Sequence, residues 1–224
     1  MPIHDLHDLR GREQVFRDRE HAGEVLARLL PLLRGTDAGL LAVPAGGVPV
    51  AAALARELGL PLDVAVVSKI TLPWNTEVGY GAVAFDGSVC LNRALIEQVG
   101  LSGADVQAGI EATRAKVKRR VSALRGVAGP PTVATGVNLL VDDGLASGFT
   151  MRAAVQALRR AGAARIAIAV PTASRRAAEA LAGEVDDVYC ANLRAGASFA
   201  VADAYLRWYD VAEEEAAALL AARR

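Results

Sequence analysis

The chain has 224 residues, of which 53% are hydrophobic, 22% charged and only 4% aromatic. That fits one substantial globular domain or two small ones and excludes a miniprotein held together by disulfides. Lys plus Arg and Asp plus Glu balance at 25 each, so the formal charge is zero and any anion site must be local rather than a broad nucleic-acid-binding face.

The opening residues, MPIHDLHDLRGREQ, carry acids and polar groups where a secretory leader needs an apolar core, and they predict a surface arm over residues 1–15. FRDREHAGEVLARLLPLLRG follows with Val25, Leu26, Leu29, Leu30 and Leu33 at helical spacing and Pro31 as a bend or boundary. Residues 38–55 contain 18 positions without a charge, yet Pro44, Gly46, Gly47 and Pro49 interrupt them. A membrane-spanning helix needs about 20 continuous apolar residues. The better reading is a buried strand, LLAV, then a turn, then a buried helix that stops at Gly59.

LDVAVVSKI at 62–70 predicts one further strand, dense in β-branched residues and ending near Lys69. The segment around 70–92 changes texture, with turn residues and aromatics that suit a hairpin or a mobile hood. Within it Trp74, Asn75, Glu77 and Tyr80 are candidates for a lid, set against the plainer reading of an ordered surface loop. Residues 101–126 return to a helical stripe of Val106, Ile110, Thr113, Val117, Val121 and Leu124, with Ser102 and Asp105 as its start signal. VNLLVDDG, ARIAIAVPTAS and DDVYCANL then predict three more strands, the last at an edge, with helices between and after them. Apolar strands alternating with helices specify an α/β fold with a mainly parallel central sheet flanked by helices. Cys90 and Cys190 are too sparse for a disulfide framework, and a cytoplasmic protein without membrane contact is expected.

The chemistry concentrates in VNLLVDDGLASGFTM at 137–151. Open α/β sheets bind ligands beyond the carboxyl ends of their strands. There this segment places Asp142 and Asp143, followed by a turn through Gly144, Leu145, Ala146, Ser147 and Gly148, and a helix start at Phe149 and Thr150. Carboxylates accept hydrogen bonds from ribose hydroxyls or help to hold Mg²⁺, while N–H groups from Leu145 to Thr150 suit a phosphate and Thr150 adds a hydroxyl. Capping and turn formation is the competing reading of the same residues.

The whole 15-residue pattern resembles the phosphoribosyl-diphosphate-binding signature of the type I phosphoribosyltransferases: apolar strand, paired acids, glycine, two spacers, hydroxyl residue, glycine, spacer, hydroxyl residue. FRDREHAG at 16–23 and LPWNTEVGYGAV at 72–83 are similar to segments of a subgroup whose acceptor is open. The resemblance implies a domain over 16–224 with a variable hood around 70–92. It also implies a diphosphate loop at Ala45, Gly46 and Gly47, and Lys69 as a basic residue that stabilises the leaving group. Relatives often carry arginine where Ala45 stands, which removes a bidentate phosphate donor.

On that basis the expected activity is Mg²⁺-dependent transfer of a 5-phosphoribosyl group from phosphoribosyl diphosphate to a nucleobase or related nitrogenous acceptor, releasing diphosphate. Asp142 and Asp143 would serve the ribose and the metal, in a homodimer with no nucleic-acid partner. A noncatalytic sensor of phosphoribosyl diphosphate or of a nucleotide is the alternative raised by Ala45. A dinucleotide-binding enzyme and a P-loop ATPase rank below both, because neither GxGxxG nor GxxxxGK[ST] occurs where those folds need it.

Overall fold

A computed structural model describes residues 3–126, 130–196 and 198–222. Nine strands and seven α-helices are found among them: β1 Ile3–Asp5, α1 Arg19–Leu26, β2 Gly39–Ala42, α2 Gly47–Leu58, β3 Leu62–Val64, β4 Val67–Leu72, β5 Asn75–Ala84, β6 Val89–Leu91, α3 Arg93–Val99, α4 Gly103–Arg125, β7 Val137–Val141, α5 Phe149–Arg160, β8 Arg165–Ser174, α6 Arg175–Ala182, β9 Asp187–Arg194 and α7 Glu213–Ala221. Six strands form a parallel sheet in the order β1-β9-β8-β7-β2-β3, and β4, β5 and β6 form a separate antiparallel sheet.

The parallel sheet is covered on both faces, which is why its strands read as unbroken apolar runs. Because side chains alternate along a strand, Leu139 and Val141 join Leu40 and Ala42 on one face, where α1, α2, α4 and α7 supply Leu26, Leu54, Val117 and Leu220. Leu140 joins Leu41, Ile168 and Val170 on the other, against Met151, Val155 and Leu158 of α5 and Leu181 of α6. α7 therefore seals the first of these two cores through Ala216 and Leu220.

Local signals set the helix limits. Ser102 and Asp105 form a reciprocal capping box at the start of α4, and Gly59 closes α2 in the left-handed region at φ 67°. The Asp18 carboxylate accepts from the His21 N–H and begins α1, which stops at Leu26; a second short turn of 3₁₀ helix starts at Pro31. α1 then packs closely on α2, and Gly23 is the reason it can. A Cβ at that position would collide with the Val50 carbonyl oxygen and stand 2.8 Å from Ala53 Cβ.

Three expectations are corrected. Ile3–Asp5, placed by the sequence in an arm, is the edge strand: Ile3, His4 and Asp5 pair with Val188, Tyr189 and Cys190, so β9 lies one strand inside the edge. A three-residue strand is too short for periodicity to reveal. LDVAVVSKI is two strands, since the chain leaves the parallel sheet after Val64 and enters the antiparallel one at Val67. Continuous β-branched character hides that change of sheet. Finally, of the two readings of the segment around 70–92 the hairpin is the one seen and the mobile hood is not: β4, β5 and β6 pair antiparallel and are packed, Ala82 and Ala84 lying against the α5 face while Ile70, Leu72, Tyr80 and Val83 belong to the other core. Tyr80 is only 1% exposed and is a core residue, whereas Trp74, on the β4-β5 turn, is exposed. The Glu77 side chain lies outside the described residues.

Gly23→Ala is expected to lower stability by about 1–3 kcal/mol, the usual cost of forcing a methyl group into a closed contact. Thermal unfolding measures it, and an unchanged melting temperature would show that α1 can move away from α2.

Candidate functional site

The site forms where β2 and β7 end side by side. Ala42 is in register with Val141, and the Val43 N–H donates to the Val141 carbonyl at 2.8 Å, so the chain after β2 leaves the sheet directly beside the chain after β7. This brings the loop Pro44–Gly47 onto Asp142 and Asp143. A Cβ at Gly46 would collide with Asp143 Oδ2, and one at Gly47 would stand 2.6 Å from the Val141 carbonyl oxygen and 2.9 Å from Asp142 Cα. Both glycines are thus required by close approach. The peptide bond between Pro44 and Ala45 is cis.

Backbone donors divide sharply between used and unused. In the first loop the Gly47 N–H is taken by the Val43 carbonyl, while those of Ala45 and Gly46 have no acceptor among the described residues. After β7, the Leu145 N–H donates to Thr172 O and the Leu145 carbonyl accepts from Ser174 N–H, both at 2.9 Å. Leu145 is therefore a buried continuation of sheet pairing, bridged to Ala173, and not one of the phosphate donors the sequence suggested. Beyond it the pattern changes: none of the N–H groups from Ala146 through Met151 finds an acceptor among the described residues, and the helix ladder begins only with Arg152 N–H to Gly148 O. Gly148 makes this geometry at φ 79°, a conformation that costs a side-chain-bearing residue strain. Ser174 braces the turn by donating its hydroxyl to Ala146 O while capping α6 through the Ala177 N–H. In PTAS, the run that ends β8, Ser174 thus serves as a cap, and Thr172 is fully buried against Asn192. Gly144 is needed for closeness too, since its Cβ would run into the Val201 side chain.

Asp143 is held from three directions. Its N–H donates to Asp142 Oδ1 at 2.9 Å, its carbonyl accepts from the Tyr205 hydroxyl at 2.6 Å, and its Oδ2 accepts from Arg19 Nε at 2.9 Å. Arg19 is itself 5% exposed, gives Nη1 to the Tyr209 carbonyl at 2.8 Å and stacks on the Trp208 ring with its guanidinium carbon 3.9 Å from the centroid. Burial pushes the Asp142 carboxyl well above the usual carboxylate range, and the neighbouring Asp143 charge adds to that. Burial raises Asp143 as well, with the Arg19 cation opposing. Neither Arg19 nor Tyr205 was singled out from the sequence, since an arginine on an amphipathic helix and a tyrosine in an aromatic run both read first as packing. Lys69 is not joined to this group. It is exposed on β4 of the antiparallel sheet, its aliphatic stem passing over Gly79, and among the described residues no ion pair or hydrogen bond ties it to the acids or to either loop.

Residues 85–203 match the model of the phosphoribosyl transferase domain, slightly more than half of the chain and including the whole acid-and-turn segment. The chain belongs to the phosphoribosyl transferase family. The chain is 34% identical over 207 residues to curated proteins of two Mycobacterium tuberculosis strains whose names place them among phosphoribosyl transferases. The match covers 92% of this chain and 46% of theirs, so the chain spans about half the length of those relatives. The crystal structure of TT1426 from Thermus thermophilus is 33% identical, with a TM-score of 0.73, covering 93% of this chain and 98% of that one. No α-helix among the described residues is long and apolar enough to cross a membrane.

Asp142 supplies a pH test. A carboxyl whose folded value is raised stabilises the fold in its protonated form; that contribution is fully present below the unfolded value of 3.8 and is lost as pH rises through the higher folded value. Asp142→Asn, which keeps an acceptor for the Asp143 N–H, should therefore raise the melting temperature at neutral pH, with the gain shrinking as the protein is acidified. A lower melting temperature at neutral pH would show that the charged form is the one the fold favours.

Proposed function

We propose that this chain transfers a 5-phosphoribosyl group from phosphoribosyl diphosphate to a small nitrogenous acceptor, with Mg²⁺ bound and diphosphate released. The observation that carries this reading is the run of unengaged N–H groups from Ala146 to Met151 beside the paired acids at the end of β7. A helix N-terminus with its first donors free favours an anion through both hydrogen bonds and the helix dipole. The 5-phosphate would occupy that turn, with the Ser147 and Thr150 hydroxyls at its rim. The ribose would then reach back to Asp142 and Asp143, and the free N–H groups of Ala45 and Gly46 would face the diphosphate.

The acids fit a metal held jointly with substrate. Asp142 Oδ1 and Asp143 Oδ2 are already engaged, which leaves one carboxylate oxygen on each residue. Among the described residues no three His, Cys, Asp or Glu side chains gather into a cage. Mg²⁺ usually takes one or two carboxylates and completes its shell with water and substrate phosphates, so two oxygens suffice. A bound Mg²⁺ would offset the charge on the departing diphosphate. The chain's own part is to fix the sugar between two anchored ends, so that C1 is presented to the acceptor while the leaving group stays on the loop.

Ala45 favours a second reading, a sensor that binds the donor without turnover, because the loop offers backbone donors and no guanidinium. One experiment separates the two: purified protein, Mg²⁺ and phosphoribosyl diphosphate are incubated with a panel of purines, pyrimidines and related amines, and diphosphate and coupled products are followed by mass. Product with any acceptor supports the transferase, and binding without product across the panel supports the sensor. Donor that is neither bound nor consumed refutes both.

The double variant Asp142→Asn with Asp143→Asn should bind the donor at least about tenfold more weakly while remaining folded, since ligand-facing charged hydrogen bonds are each worth about 1.5–3 kcal/mol. Equal affinity in calorimetry would show that the acids serve only the turn.

A further inference from the structure

The Arg19 guanidinium is the cation that directly engages the paired acids, and it comes from a helix far away in sequence. Its three contacts do different things. Nε fixes Oδ2 of Asp143, Nη1 is anchored on the Tyr209 carbonyl, and the face of the guanidinium lies 3.9 Å from the Trp208 ring centroid. Arg19 is 5% exposed and Asp143 15%, so this is a closed pair, whereas Trp208 is 39% exposed. Fixing Oδ2 decides which oxygen of Asp143 is left over. Oδ2 points to Arg19 and lies against Gly46, so Oδ1 is the oxygen available to a ligand.

We infer that Arg19 is a positioning residue for sugar recognition: clamped between Trp208 and the Tyr209 carbonyl, it sets the Asp143 carboxylate so that Oδ1 faces the ribose hydroxyls. This rests on the reading of the site given above and adds residues to it. It also assigns the segment around Trp208 a task, since that segment holds the arginine in place. A planar fork is needed here, because one group must donate in two directions and stack at once, which a lysine ammonium does not do. Among the described residues no hydrogen bond or ion pair joins Arg19 to the turn Ala146–Met151, so its effect should fall on the sugar and not on the phosphate.

That separation is the test. Binding of ribose 5-phosphate and of inorganic phosphate is measured by calorimetry on the full chain for the wild type, Arg19→Gln, Arg19→Lys and Trp208→Leu. Arg19→Gln should weaken ribose 5-phosphate by about tenfold or more, the loss of a charge-assisted contact, while inorganic phosphate stays within about twofold. Arg19→Lys should recover only part of the loss. Trp208→Leu, a change at a half-exposed side chain that keeps the arginine, should weaken the sugar phosphate in the same selective way if Arg19→Gln proves too unstable to measure. In a Trp74→Phe background Trp208 is the single remaining tryptophan, and its emission should respond to ribose 5-phosphate and not to phosphate. Equal losses for both ligands, full recovery by lysine, or an unaffected Trp208→Leu protein would each overturn the inference. A wild type that binds neither ligand would instead refute the proposed function.

Discussion

The site depends on the in-register pairing of β2 with β7. Two parallel strands that are neighbours in the sheet but distant in sequence end at the same level, and the hydrogen bond from Val43 N–H to Val141 O extends their pairing one residue past Ala42. Beyond that point both chains must turn away without side-chain bulk between them. Gly46 and Gly47 meet the requirement, leaving room for Asp143 and for the backbone of Val141 and Asp142. A shift of one residue would exchange the two faces of every strand, moving Leu139 and Val141 into the core that now holds Leu140. The hydrophobic layers on both faces therefore specify the register, and the register in turn places the two loops together.

The same geometry gives a chain with no net charge a local concentration of positive character, the property that the proposed binding of a highly charged donor calls for. The positive character comes from backbone N–H groups without acceptors among the described residues, six in succession after Leu145 and two in the facing loop, and not from a patch of lysines. Such donors cannot be neutralised by pH and are not screened by side-chain motion. Around the acids the balance is different. Leaving one buried charge of a pair unmatched usually costs about 3–5 kcal/mol, so Asp143 without Arg19 would be expensive to hold as an anion. The arginine, itself packed on three aromatic residues, makes a buried carboxylate affordable at the position proposed to meet the sugar.

Much of this was legible in the sequence because it rests on local chemistry. The capping box at Ser102 and Asp105, the left-handed stop at Gly59, the apolar strand before Asp142 and the glycine turn after it are all encoded within a few residues of where they act. What was not legible depends on contacts between distant segments. β1 is defined by its partner β9, not by its own three residues. The break between β3 and β4 follows from the helices α4 and α5, which draw the antiparallel sheet over both cores. Leu145 carries a polar-loop pattern around it, yet β8 is long enough to reach it and take its N–H. Arg19 and Tyr205 lie 124 and 62 residues from Asp143, separations across which no spacing rule operates.

Lys69 shows the same limit from the other side. Its position after an apolar run made it resemble a strand-end residue at the mouth of the parallel sheet, but it lies within β4, which belongs to the other sheet. A cation's usefulness at an anion site is set by distance and burial, and Lys69 is exposed over Gly79, with its charge in solvent where salt screens it. Arg19 has the opposite attributes: it is buried, held at two donors and stacked on an aromatic face, so little conformational freedom remains to be lost when a ligand arrives. The residue that organises charge at this site is therefore the one delivered by tertiary packing of α1 and the segment after Tyr205 against the ends of the strands.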